Sequence, residues 1–277
     1  MIGVQAALLS GDRLHLQHGP IDLIIGADGK RALAFEAAKT RLGTVLAELM
    51  DEIDLLRIAR GPKPKGNIAL RMWCAAQAHD GFVTPMAGVA GAIAETVLDA
   101  MKQATDIKRA YVNNGGDIAV HLEGDAEFCV GIAGVKGGAL GKITLNAASS
   151  IRGIATSGQG GRSLSLGIAD SVTVLGQTAC TADVAATLIA GAVDLPSHPM
   201  ITRQAANEVV DGSDLGARPV VTHVGKLRAA EVMCALEAGL SRARLMQSNG
   251  LIQAASLHLQ GQSRQIEMNN QKVLEHA

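Results

Sequence analysis

The chain has 277 residues, 48% of them apolar and 2% aromatic, with 32 glycines and a formal net charge of -1. This describes an aliphatic, closely packed core large enough for a folded protein, and it excludes disorder over most of the length. The balanced charge removes a basic groove for nucleic acid, and the rings of Phe35, Trp73, Phe82, Tyr111 and Phe128 are too few for base stacking.

No run of roughly 18 apolar residues is present to span a bilayer. The N-terminal segment carries no basic leader, which points to the cytoplasm. Cys74, Cys129, Cys180 and Cys234 lie far apart among apolar neighbours and read as buried free thiols. Residues 13–17 and 21–25 read as two short strands separated by His18-Gly19-Pro20. The spacing then turns helical over residues 35–57, where Leu42, Leu46, Leu49, Ile53 and Leu56 recur at three and four. A proline-bearing loop covers residues 60–66, and residues 68–78 are helical. Thr84-Pro85 reads as an N-cap and first helical residue, opening a helix over residues 86–103. Its first half is nearly all small, so another backbone or a ligand can come close, within the chain or from a second subunit.

Strands follow at residues 109–113, 118–122, 128–133, 142–145, 151–156 and 171–175, with a glycine turn at Gly137-Gly138. A buried helix covers residues 179–193, a strand lies near residues 218–224, a helix covers residues 226–247, and a last strand lies within residues 251–260. Strand pairs joined by hairpin-like turns, with helices between, give an α+β fold with a largely antiparallel sheet. The organisation expected is a single domain over residues 1–260 and a polar tail over residues 261–277.

Three segments carry chemistry. Asn113-Asn114-Gly115-Gly116-Asp117 joins two strands; it serves equally as a hairpin turn or as exposed backbone N–H groups with a polar anchor for an anion or a planar ring. Thr156-Ser157-Gly158 ends a strand with two hydroxyls and a freed backbone, without the Gly-Lys-Ser/Thr of a P-loop. Asp183 and Thr187 lie four apart on one helix face, a pair of hard oxygen donors suited to Mg²⁺, although an acid there also favours the helix N-terminus. The histidines form no zinc pattern.

Each segment is weak alone, but their order is informative. Gly91-Ala92-Ile93-Ala94, Asn113-Asn114-Gly115-Gly116-Asp117, Ile154-Ala155-Thr156-Ser157-Gly158, and Ser171-Val172-Thr173-Val174 followed by Asp183 and Thr187 resemble the ApbE-type FAD:protein FMN transferase family. The resemblance implies a fold related to the tunnelling (T-) fold, with internal duplication into two intertwined halves. It implies FAD or FMN in a cleft lined by Asn113, Asn114, Gly115, Gly116, Asp117, Thr156, Ser157 and Gly158. It implies Mg²⁺ held by Asp183, Thr187 and the main-chain carbonyl of Ala92, with FMN passed to a Thr of an acceptor flavoprotein. The chain departs from the family between residues 159 and 170, where a His-x-x-Asp-Pro stretch is absent, and at Glu95, where the family has lysine. Residues 13–25 and Asp214-Leu215-Gly216 resemble features of a cytoplasmic branch of this family, and Asp170 and His223 stand as substitute acid/base groups. A non-catalytic flavin binder, or a binder of another phosphate-containing small molecule, is the alternative.

Overall fold

The protein is described by a computed structural model covering residues 3–133, 139–267 and 274–276. The chain opens with an edge strand, β1 (Gln5–Leu9), and the hairpin β2 (Arg13–His18) and β3 (Ile21–Ala27). Next come α1 (Arg31–Asp51), α2 (Ile53–Leu56), α3 (Asn67–Gln77), a 3-10 turn (Pro85–Gly88) and α4 (Val89–Ala104), then the hairpin β4 (Arg109–Asn114) and β5 (Asp117–Leu122). After β6 (Glu127–Ala133) and β7 (Ala139–Asn146) the same pattern starts again, with β8 (Gly153–Ser157), β9 (Ser171–Gly176) and α5 (Ala179–Ala192). It continues through β10 (Ile201–Ala205), α6 (Ala206–Val209), β11 (Pro219–Val224) and α7 (Ala229–Ser248) to the hairpin β12 (Ala254–Leu259) and β13 (Gln262–Ile266), with β14 (Leu274–His276) last.

Hairpin, helices, hairpin therefore occurs twice. The two sets join in one nine-stranded sheet of order β1-β2-β3-β4-β5-β8-β9-β12-β13, and every described pairing is antiparallel. The α+β class and the duplication match the expectation. Helices cover one face in two clusters. Leu16, Leu23 and Ile25 pack with Leu42, Met72 and Met101, and Val172, Val174 and Leu257 pack with Ile189, Leu236 and Leu240. Each fully buried Leu or Ile side chain is worth about 1.5–3 kcal/mol.

Period-two alternation sends the intervening residues to the other face. There Ile118, Val120, Ile154 and Leu175 meet Ile143 and Leu145 of a small sheet of order β14-β7-β6. Tyr111 and Phe128 stack at its margin with ring centroids 5.2 Å apart.

Several expectations change. The helix expected over residues 35–57 starts at Arg31 and breaks at Glu52, whose carboxylate instead accepts the Lys65 and Gly66 N–H groups (2.7 Å each) at the start of α3. Thr84 does not cap: its hydroxyl donates to Asp214 Oδ2. β1 and β10 were not anticipated, because neither shows buried alternation. The segment expected as a polar tail carries β13, which pairs with β12 and buries Ile266. Among the four free cysteines only Cys180 is buried. The turn expected at Gly137-Gly138 lies outside the described residues. Among the described residues no helix is long and apolar enough to cross a membrane.

The small residues of α4 serve packing within the chain. A Cβ at Gly91 would strike the Ala179 carbonyl and the Cys180 backbone, and one at Gly88 would strike the Cys180 and Val184 side chains. The absent side chains let α4 lie directly on the start of α5. Glu95 holds the same junction, accepting the Cys180 N–H at 2.7 Å and pairing with Arg71 at 3.0 Å.

Candidate functional site

The two halves of the sheet meet at β5 and β8, and there the ladder is short. Only Ile118↔Ile154 and Ala119↔Gly153 are paired. Beyond Ile118 the strands part, and Asp117 spans the gap, its Oδ1 accepting the Thr156 N–H at 3.2 Å. A carboxylate thus stands where a backbone carbonyl would continue the ladder.

The parting opens a cavity of about 330 Å³. Asn113, Gly115, Gly116, Thr156, Ser157 and Asp170 line it, so much of the expected binding set is brought together. Asn113-Asn114-Gly115-Gly116-Asp117 is both the hairpin turn and part of the cavity wall. Gly115 and Gly116 take φ of +67° and +115°, as a type I′ turn requires. Asn113 Oδ1 braces the turn by accepting the Gly116 N–H at 2.8 Å. Among the described residues no aromatic side chain lines the cavity; Tyr111 lies instead against Phe128 and Gly26.

Behind the wall lie Asn114, Asp117 and Asp183. Asn114 Nδ2 donates to the Ala90 carbonyl at 3.2 Å, and Asp183 Oδ2 accepts the Gly91 N–H at 3.0 Å. Both carboxyls are nearly closed off from solvent, at 9% and 8% exposure for Asp117 and Asp183. Burial pushes Asp117 up to about 7, opposed by the Thr156 N–H and by Arg162. Burial and the neighbouring Asp117 charge push Asp183 well above the usual carboxylate range. Two buried acids, one raised further by the charge of the other, suit a shared proton or a cation.

Thr187 reaches toward the same region, its hydroxyl 3.5 Å from Ser157 Oγ. Ala92 does not offer its carbonyl freely, because that oxygen accepts the Thr96 hydroxyl at 2.7 Å inside α4. Gly158 is buried at φ +140° against the carbonyls of Ala169 and Asp170, so it shapes the loop from beneath.

Of the two expected acid/base groups, only Asp170 reaches the cavity. Its Oδ2 accepts the Gln260 N–H at 2.6 Å, and its Oδ1 accepts from Gln159 Nε2 at 3.3 Å. Both oxygens are thereby occupied, which fits an anchor of the loop better than a base. His223 is exposed on β11, in a separate two-stranded sheet with β10, and is not a lining residue. Its strand-end position in the sequence gave no information on which sheet it joined.

Sequence reasoning missed a polar row. Thr156 and Ser256 both lie opposite Thr173, and His258 lies opposite Ser171, on the sheet face away from the helices. Thr156 and Thr173 hydroxyls are 2.9 Å apart, as are Ser256 Oγ and His258 Nε2. Ser171 and Thr173 line the cavity. The signal was available in Ser171-Val172-Thr173-Val174 and Ser256-Leu257-His258-Leu259, where polar residues alternate with apolar ones at period two. Among the described residues no group of three or more His, Cys, Asp or Glu side chains is arranged to hold a metal.

The chain is similar to several known proteins. A UPF0280 protein of Methanococcus maripaludis (strain C6) is 39% identical over 118 residues, which are 40% of this chain and 47% of that protein. A UPF0280 protein of Methanothermobacter thermautotrophicus is 34% identical over 167 residues, 56% of this chain and 62% of that protein. The chain thus spans about half to three fifths of the curated relatives it matches. The apo flavinyl transferase ApbE of Pseudomonas stutzeri aligns over 97% of this chain and 95% of its own, at 14% identity and a TM-score of 0.42. A family model described as AbpE bacteria matches residues 5–265. The chain belongs to that ApbE-type family.

Proposed function

We propose that the seam cavity binds a flavin nucleotide, FAD or FMN, and that with Mg²⁺ the protein transfers FMN from FAD to a Thr hydroxyl of a protein acceptor. The observation that carries this reading is the convergence of the Asn113–Gly116 turn, the Thr156-Ser157 hydroxyls and Asp170 on one cavity with Asp117 and Asp183 beside it. The walls supply aliphatic contact through Ile118, Val130, Ile143 and Ile154, and hydrogen-bonding groups through Asn113, Thr156 and Thr173. A ring system held here is held by these groups and by glycine backbone, not by aromatic stacking.

The residues fit a hard cation. Asp183, with Thr187 and with Asp117 in place of Ala92, would hold Mg²⁺, and a cation would offset the burial of Asp183 and the charge of Asp117 upon it. When bound, Mg²⁺ would polarise a pyrophosphate and ease loss of the nucleoside monophosphate. The chain's own part is to orient the ligand through the braced glycine turn and to keep water out along the aliphatic wall.

A second reading is supported by the cavity lining, which contains no histidine among the described residues, and by the hydrogen bonds that already hold both Asp170 oxygens. In that reading the protein binds the flavin without turning it over. Incubation with FAD and an acceptor flavoprotein, with and without Mg²⁺, separates the two. Transfer predicts AMP and covalent flavin only with Mg²⁺, and loss of both in Asp183→Ala. Bound FAD recovered intact after long incubation would leave the binding role, and equal turnover by Asp183→Ala would remove the metal assignment.

A further inference from the structure

The stretch between Ser157 and Ser171 is where the sequence departs most from the family pattern, and it carries one cation, Arg162. Arg162 is exposed, and its guanidinium lies directly against Gly115 in the cavity wall: a methyl group added at Gly115 would collide with Nη2. Its charge acts on the buried Asp117 carboxyl, and among the described residues no hydrogen bond or salt bridge fixes the guanidinium. Ser171 also lines the cavity; it is only 5% exposed, and its Oγ is buried and has no hydrogen-bond partner. A buried hydroxyl left unpaired costs about 1–3 kcal/mol, so it marks a place where a partner belongs. Ile118, Val130, Ile143 and Ile154 supply the aliphatic part of the lining. The cavity therefore combines a cation against its glycine turn, an aliphatic wall and a buried hydroxyl without a partner.

We propose that Arg162 is the phosphate anchor of this cavity, and that the ligand is an amphipathic phosphate ester whose uncharged end hydrogen-bonds to Ser171. The proposal rests on the flavin reading above and adds a residue to it. Arg162 supplies a planar fork of donors that can meet a phosphate with two parallel hydrogen bonds, which lysine cannot reproduce. Gly115, already demanded by the positive φ of the turn, leaves room for the guanidinium beside it.

FMN and riboflavin differ only by a phosphate, so they isolate the anchor. Each is titrated into the full chain with Mg²⁺ present, for wild type, Arg162→Gln and Arg162→Lys, following flavin fluorescence. Wild type should prefer FMN by roughly ten- to a hundredfold, the worth of a charge-assisted hydrogen bond pair. Arg162→Gln should erase that preference while leaving riboflavin affinity unchanged, and Arg162→Lys should keep part of it. Ser171→Ala should weaken both flavins by the same factor. An unchanged FMN preference in Arg162→Gln, or equal affinity of wild type for the two flavins, overturns the anchor and leaves flavin binding standing. Inorganic pyrophosphate is the third probe. If neither flavin binds but pyrophosphate raises the melting temperature of wild type and not of Arg162→Gln, the anchor stands and the flavin reading fails. No response to any of the three overturns both.

Discussion

His79 shows how one side chain can set a pH limit on the fold. It is only 4% exposed at the end of α3, and its Nδ1 has no hydrogen-bond partner. Burial, reinforced by Arg242 and opposed by Asp80, lowers its pKa from 6.5 to about 4. A histidine held neutral in the folded state takes up its proton more readily when unfolded. The stability it contributes is therefore complete above about 6.5 and is lost as pH falls toward about 4. The urea midpoint of wild type should fall between about pH 7.5 and pH 5, and that of His79→Gln should fall less over the same interval. Parallel midpoints would show that His79 is not the group responsible.

Residues differ in how far their sequence setting reveals them. Asn113-Asn114-Gly115-Gly116-Asp117 was readable as a turn because positive φ demands glycine, and its second role as cavity wall was one of two readings left open. Asp183 was conspicuous as the one acid in an apolar helix. Asp117 was grouped with the flavin pocket, whereas its carboxyl completes the β5–β8 ladder and faces Asp183. That relation spans distant segments, and no local pattern contains it. Ser171, Thr173, Ser256 and His258 were readable by alternation but passed over, since hydroxyls in a strand also satisfy ordinary cross-strand contacts.

At the scale of elements, the same substitution should have opposite signs on two helices. Gly91 in α4 faces the Ala179 backbone, where an added Cβ has no room and no flexible side chain to displace. Gly43 in α1 is exposed, and a Cβ there meets only Val4 at an ordinary 3.8 Å. Gly91→Ala should therefore lower the unfolding free energy by about 2–3 kcal/mol through overpacking. Gly43→Ala should raise it by roughly 0.5–1 kcal/mol by restricting the unfolded chain and favouring helix. Denaturant titration of both variants beside wild type checks the pair. A neutral Gly91→Ala would mean that α4 and α5 can separate at little cost.

α1 was readable from its period because it buries one stripe, Leu42, Val45 and Leu49, whereas α5 was readable as a continuous run of small and apolar residues buried on nearly every side. Their ends were not. α1 stops at Glu52 because a carboxylate is drawn to the N–H groups of Lys65 and Gly66, thirteen and fourteen residues further on. Strands with one buried face were also readable, whereas β1, exposed along nearly its whole length, offers no alternation to detect.

For the whole molecule, duplication explains where the cavity lies. Each half is a hairpin, a helical layer and a second hairpin. The halves are joined by two register pairs at β5 and β8, so the sheet opens at its own middle. The small sheet of β6, β7 and β14 covers that opening from the face opposite the helices and contributes Val130 and Ile143 to the wall. The order of the motifs along the chain predicted that these segments would meet. It did not predict that Asp170 would be locked by Gln260, or that His223 would fall in a separate sheet. Both outcomes depend on how β10, β11 and β13 are placed.

The central claim is that the seam is a flavin-nucleotide site completed by Mg²⁺ at Asp183. Its most direct test is the thermal unfolding of the full chain with FAD, with Mg²⁺, with both, and with neither, for wild type and Asp183→Asn. FAD at a hundred times its dissociation constant should stabilise wild type by about 2.7 kcal/mol, more with Mg²⁺ than without. Asp183→Asn should retain the FAD effect but lose the added increment from Mg²⁺. No stabilisation of wild type by FAD, with or without Mg²⁺, would contradict the account.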